Sequence, residues 1–138
     1  MPVSDDFEEE FDFGRFDLAA QSEAGKDFAV IGPRGKPLTY KGAPVTIKLA
    51  GKDSPRFKNR QRELAREKIE EGIERADIEM EMLIVCTLGW SGIRWNGKLL
   101  EFSAENARML YGKDELLREN AAQFILERAN FLDYARSD

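Results

Sequence analysis

Val45-Thr46-Ile47-Lys48-Leu49-Ala50-Gly51-Lys52-Asp53-Ser54-Pro55 contains a strand, a turn and the start of a helix in one short run. Its first five residues alternate, which puts Val45, Ile47 and Leu49 on one face of a strand and Thr46 and Lys48 on the other. Asp53 and Ser54 are helix N-cap candidates. Pro55 suits the first turn, where its fixed φ is already helical and its missing N–H is not needed. The period of the apolar residues changes here from two to about 3.6, so the chain mixes strand and helix.

Upstream, Phe28-Ala29-Val30-Ile31 and Leu38-Thr39-Tyr40 read as two more short strands. They are separated by the turn chemistry of Gly32-Pro33-Arg34-Gly35-Lys36-Pro37, and Lys41-Gly42-Ala43-Pro44 turns the chain again. Three such strands form a small antiparallel meander that needs a helix on its apolar face. Downstream there is no proline after Pro55 as far as Leu88, and Phe57, Leu64, Ile69, Ile73, Met80, Leu83 and Val85 trace a helical stripe. This predicts one long central helix, weakened at Gly72 by about 1 kcal/mol relative to alanine and able to kink or break there. Its second half, Ile78 to Leu88, is apolar on nearly every side and is expected to be the core helix.

Gly89-Trp90-Ser91-Gly92 should stop that helix. Ile93 to Phe102 reads as a short hairpin, because Asn96-Gly97 suits a turn that needs positive φ at both positions. Ser103 caps a helix expected to end at Gly112, and Asp114 caps a last helix whose apolar stripe runs Leu117, Ala121, Phe124, Ile125, Phe131, Leu132. A short helical turn is expected between Phe16 and Ala24. The predicted fold class is α+β and predominantly helical: a small N-terminal antiparallel β-meander, a long central helix, a short hairpin and two C-terminal helices. Residues 1–15 form an acidic, Phe-rich flexible arm, and residues 16–138 a single domain.

The chain has 138 residues, no histidine and one cysteine, Cys86. That excludes zinc sites built from His and Cys, a Ser-His-Asp triad, a Cys-His dyad, a histidine-ligated haem and an internal disulfide. Cys86 lies among Leu, Ile and Val and reads as an inert core thiol in a reducing compartment. The acidic N-terminus has neither the basic nor the apolar region of a signal peptide. The longest apolar stretch, Met82 to Trp90, is too short to span a bilayer.

Carboxylate chemistry stays open with 26 Asp and Glu, but the carboxylates crowded at Glu70, Glu71, Glu74, Asp77, Glu79 and Glu81 lack the histidine of a Glu-x-x-His metal motif. Gly32-Pro33-Arg34-Gly35 lacks the Gly-Lys-Ser/Thr ending of a phosphate-binding loop, and Ser91 has no histidine base. No catalytic, cofactor-binding or metal-ligating residue is therefore assigned, and no enzyme activity is expected.

The formal charge of −5 hides an asymmetry. Residues 1–27 carry nine acids against Arg15 and Lys26, whereas residues 34–68 carry eleven Lys and Arg against Asp53, Glu63 and Glu67. Such a pair has three readings: a solvated tail beside a solvated helix face, an arm that folds on the basic region in its own or a neighbouring subunit, or a basic nucleic-acid site with a competing tail. Few aromatics are interleaved with the bases and no nucleic-acid motif is present, so nucleic-acid binding is not expected. Phe7, Phe11 and Phe13, set among acids, have the pattern of a segment that docks on an apolar groove.

Four stretches, in order, resemble a known family: Val45 through Phe57, Cys86-Thr87-Leu88-Gly89-Trp90-Ser91-Gly92, Asn96 through Tyr111, and Gln123 through Leu132. Over about residues 28–132 the chain resembles the tail assembly chaperones of long-tailed, siphovirus-type phages and prophages. The Phe-rich arm departs from that pattern. The resemblance implies a non-catalytic assembly factor that coats the helical tape measure protein, helps recruit tail tube subunits, self-associates, works in the host bacterial cytoplasm and is absent from the mature virion. A factor that covers apolar helices needs an apolar groove with a charged exterior. Trp95, Tyr111 and Phe131, with Phe7, Phe11 and Phe13 of the arm, are the partner-binding candidates, while Trp90, Phe102 and Phe124 are expected in the core. The alternatives are a phage-encoded regulator or inhibitor of a host defence protein acting through the acidic arm, and a minor head–tail structural protein.

Overall fold

The computed structural model describes residues 12–13 and 16–132. Most of the predicted arm, including Phe7 and Phe11, lies outside the described residues. The described fold is α+β, with five α-helices and three small antiparallel sheets.

Asp17 accepts a hydrogen bond from the Ala20 N–H and caps the first helix, α1 (Leu18–Ala24). The chain then enters β1 (Lys26–Ala29), crosses a turn to β2 (Thr39–Tyr40) and β3 (Ala43–Pro44), and continues into β4 (Thr46–Leu49). The β2–β3 hairpin turns at Lys41 and Gly42, both at positive φ. β1 and β4 pair antiparallel with Phe28 opposite Ile47. As the alternation predicts, Val45, Ile47 and Leu49 are all buried.

At the helix start, Ser54 is the cap. Its hydroxyl donates to the Gly51 carbonyl at 2.6 Å and accepts from the Phe57 N–H at 3.3 Å. The predicted long central helix is two helices, α2 (Pro55–Glu71) and α3 (Arg75–Cys86). Gly72 closes α2 in the left-handed conformation, with φ 71°, and its N–H donates to the Lys68 carbonyl. The chain turns back there, so α3 packs along α2 and Arg60 reaches Glu81 at 3.3 Å.

Two further predictions are corrected downstream. α3 passes directly into β5 (Thr87–Ser91), which pairs antiparallel with β4 and gives the main sheet the order β1-β4-β5. The third strand of that sheet therefore comes from the segment read as a helix stop. β-Branched Thr87 and aromatic Trp90 suit a strand, and Gly89 weakens any continuing helix. α3 is also less buried than expected: of its residues only Leu83 and Cys86 are fully inside.

The Asn96-Gly97 turn has φ 52° and 85° and joins β6 (Arg94–Trp95) to β7 (Lys98–Leu99). Ser103 caps α4 (Ala104–Lys113), which runs through Gly112 to Asp114; that residue then caps α5 (Glu115–Leu126) by accepting from the Leu117 N–H. A 3-10 turn follows at Arg128–Phe131.

The core lies between the main sheet and helices α3, α4 and α5, around Phe28, Ile47, Leu49, Leu83, Cys86, Ala107, Leu110, Tyr111, Ala121 and Ile125. Among the described residues no helix is long and apolar enough to cross a membrane.

Candidate interaction groove

Several residues of the four stretches quoted above are joints of the fold. Asp53 is buried and receives two hydrogen bonds from the Arg128 guanidinium, at 2.7 and 2.9 Å. Arg128 beside it holds the Asp53 carboxyl below its ordinary range. Gly51 packs so closely against the Phe131 ring that a Cβ there would sit 2.7 Å from it. Thr87 donates to the Leu83 carbonyl at 2.8 Å, which leaves its oxygen to accept from the Tyr111 hydroxyl at 2.9 Å. The Trp90 indole N–H donates to the Leu100 carbonyl, and its ring meets Phe102 edge-on at 5.1 Å.

Two of the partner-binding candidates are corrected by this packing. Tyr111 and Phe131 are 0% and 1% exposed and belong to the interior. α4 turns Tyr111 inward to Thr87, while Phe131 stacks edge-on with Phe124 at 5.5 Å and covers Gly51. Phe13 is exposed, and Trp95 is partly exposed on the β6–β7 hairpin. Phe102, expected in the core, is 40% exposed. Phe7 and Phe11 lie outside the described residues.

The titratable groups whose ionisation the fold shifts are held away from neutrality. Burial pushes the Cys86 thiol and the Tyr111 hydroxyl up to about 12, so both stay protonated. Arg108 and Arg60 hold the Glu81 carboxyl below its ordinary range, with Arg108 at 2.6 Å. This cluster ties α2, α3 and α4 together. Among the described residues no three Cys, Asp or Glu side chains are placed to hold a metal ion.

The concavity best suited to a partner lies elsewhere, between α3 and α5. Met80, Ile84 and Val85 of α3 pack against the core. Ile78 and Met82, one helical turn apart, instead line a groove with Phe57 of α2 and Ala122, Ile125 and Leu126 of α5. The groove has a volume of about 670 Å³ and carries Glu79, Arg118 and Glu119 among its polar residues. Leu126 is 54% exposed. A shallower concavity on the other side of α5 shares Asn120, Gln123 and Leu126 with it, so the two meet along that helix across two amides and one leucine.

Sequence reasoning missed these residues because it counted Ile78 to Leu88 as core. The usable signal was there: a helix apolar on nearly every side has more apolar surface than one small sheet can cover. What the pattern could not supply was α5 as the opposite wall. Comparison with known protein families, with curated proteins and with solved structures finds no match for this chain.

Proposed function

We propose that this chain is a non-catalytic phage tail assembly chaperone that holds an apolar helical segment of the tape measure protein in the α3–α5 groove and helps recruit tail tube subunits. The observation that carries this reading is the groove itself, an apolar trough between two helices with acidic and basic side chains around it. Helix-in-groove recognition works through such a surface: the partner's apolar positions at i, i+3, i+4 and i+7 fill the trough while its polar face stays in water. The resemblance of the four sequence stretches supplies the identity of the partner. The joints at buried Asp53 and Thr87 and partly buried Trp90 suit a carrier that keeps its shape while its cargo is assembled. On this reading the protein self-associates along the tape measure, acts in the host cytoplasm and is left out of the finished particle.

The test is titration of the full chain with a helical tape measure fragment by calorimetry. Binding is expected, and Met82→Glu, which places a charge in the trough, should weaken it at least about tenfold, equivalent to 1.4 kcal/mol. Absence of binding by the folded chain overturns the proposal, as does unchanged affinity in the folded variant.

A further inference from the structure

We propose that the end of the main sheet where the β2–β3 and β6–β7 hairpins meet binds a single-stranded nucleic acid, its phosphates on exposed Lys and Arg side chains and a nucleobase on Trp95. This surface is separate from the α3–α5 groove, and its function does not depend on what fills that groove.

Topology brings the pieces together. β1 pairs with β4 so that Ala29 lies opposite Thr46, and β4 pairs with β5 so that Thr46 lies opposite Ser91. The chain therefore leaves β1, enters β4 and leaves β5 at one end of the sheet. The 32–37 turn and both hairpins follow from that end. The hairpins touch: the Arg94 guanidinium stands 5.9 Å from the centre of the Tyr40 ring, and the Lys41 ammonium 5.5 Å from it. Gly92 packs against Tyr40 and Val45, which sets the root of β6–β7 beside β2–β3.

Charge is the first support. Residues 28–52 and 87–100 make up most of the main sheet and both hairpins. They hold seven Lys and Arg, and all 26 Asp and Glu lie elsewhere in the chain. Arg34, Lys36, Lys41, Arg94 and Lys98 belong to the hairpin end. All are exposed, and among the described residues none is paired with a carboxylate. Glu101, just after β7, is the acid that borders them in sequence. A row of phosphates neutralises several such cations at once and releases its own counterions, which favours binding.

Aromatic surface is the second support, and it favours nucleic acid over an acidic peptide. The basic segment of the sequence has few aromatics of its own; the fold supplies them from the second hairpin. Trp95 lies opposite Lys98 across β6–β7, so indole and ammonium share one face of that ribbon. Trp95 is partly exposed, and a ring beside a cation lets a base stack while its phosphate meets the charge. Arg94 takes the other face, steadied by donating to the Gly97 carbonyl at 3.0 Å, with Tyr40 next to it. The cations thus surround a thin ribbon, which a flexible single strand can follow and a stiff duplex cannot.

The test is fluorescence anisotropy of a fluorescein-labelled oligothymidylate titrated with the full chain. Binding is expected, weakening with salt along a log–log slope of about −3, the value for roughly four neutralised phosphates on a single strand. Trp95→Ala should weaken it at least about fivefold, the loss of one stacked base. Lys41→Gln/Lys98→Gln should flatten the salt slope by about half. Absence of binding at low salt overturns the proposal. So does parent-like affinity in a Trp95→Ala variant shown to be folded by circular dichroism. Polyglutamate that competes as well as unlabelled oligothymidylate would assign the surface to acidic protein segments, and tighter binding of a duplex would remove the single-strand assignment; either result also overturns it.

Discussion

Ser22 is 1% exposed and among the described residues its hydroxyl has no hydrogen-bond partner, although its carbonyl accepts from the Gly51 N–H at 3.0 Å. Burying an unpaired hydroxyl costs free energy that a methyl group does not. Ser22→Ala should therefore raise stability by about 1 kcal/mol, read as a higher urea midpoint at an unchanged slope; a lower midpoint would mean that the hydroxyl has a stabilising role. At this scale the sequence was partly legible. Cys86 in an apolar run was recognisable as an inert thiol, and its protonated, buried state agrees. Tyr111 and Phe131 were not, because an aromatic in a helical stripe has the same spacing whether the stripe meets the core or a partner. Their burial depends on Thr87 and Gly51, which stand far from them in the chain.

Among the elements, the turn at Gly72 decides most. A φ of 71° is open to glycine and strained for a residue with a Cβ, and among the described residues no atom lies near enough to Gly72 for a methyl group to gain packing. Gly72→Ala should therefore destabilise the chain by about 1 kcal/mol, measured by urea unfolding; an unchanged or raised midpoint would show that α2 and α3 tolerate joining. The caps at Asp17, Ser54, Ser103 and Asp114 precede α1, α2, α4 and α5, and three of them were readable in advance because capping is a local hydrogen bond. The passage from α3 into β5 was not readable. Thr87 to Ser91 is a strand because β4 lies beside it, and that neighbour is set by chain packing rather than by the five residues themselves.

Across the whole molecule, ion pairs fasten distant segments. Asp53 meets Arg128, and Glu81 joins Arg60 to Arg108. Both carboxyls are held below their ordinary range in the folded state, so the unfolded chain binds protons more readily. Their contribution is fully present at neutral pH and is lost as pH falls below about 4, through the folded-state values. The urea midpoint should drop on acidification, and Asp53→Asn/Glu81→Gln should flatten that drop while lowering the midpoint at neutral pH. An equally steep acid dependence in the double variant would assign the acid sensitivity to other groups.

By itself the sequence determined the mixed α+β class, the apolar face of β4, the N-terminal caps of α2, α4 and α5, the Asn96-Gly97 hairpin and the separation of acidic and basic segments. Each is written in periodicity, capping or charge over a few neighbouring residues. Only the tertiary structure decided that β5 completes the sheet, that Tyr111 and Phe131 lie inside, and that Ile78 and Met82 line a groove against α5. These outcomes depend on which segments meet, and contacts between residues far apart in the chain leave no mark in local pattern.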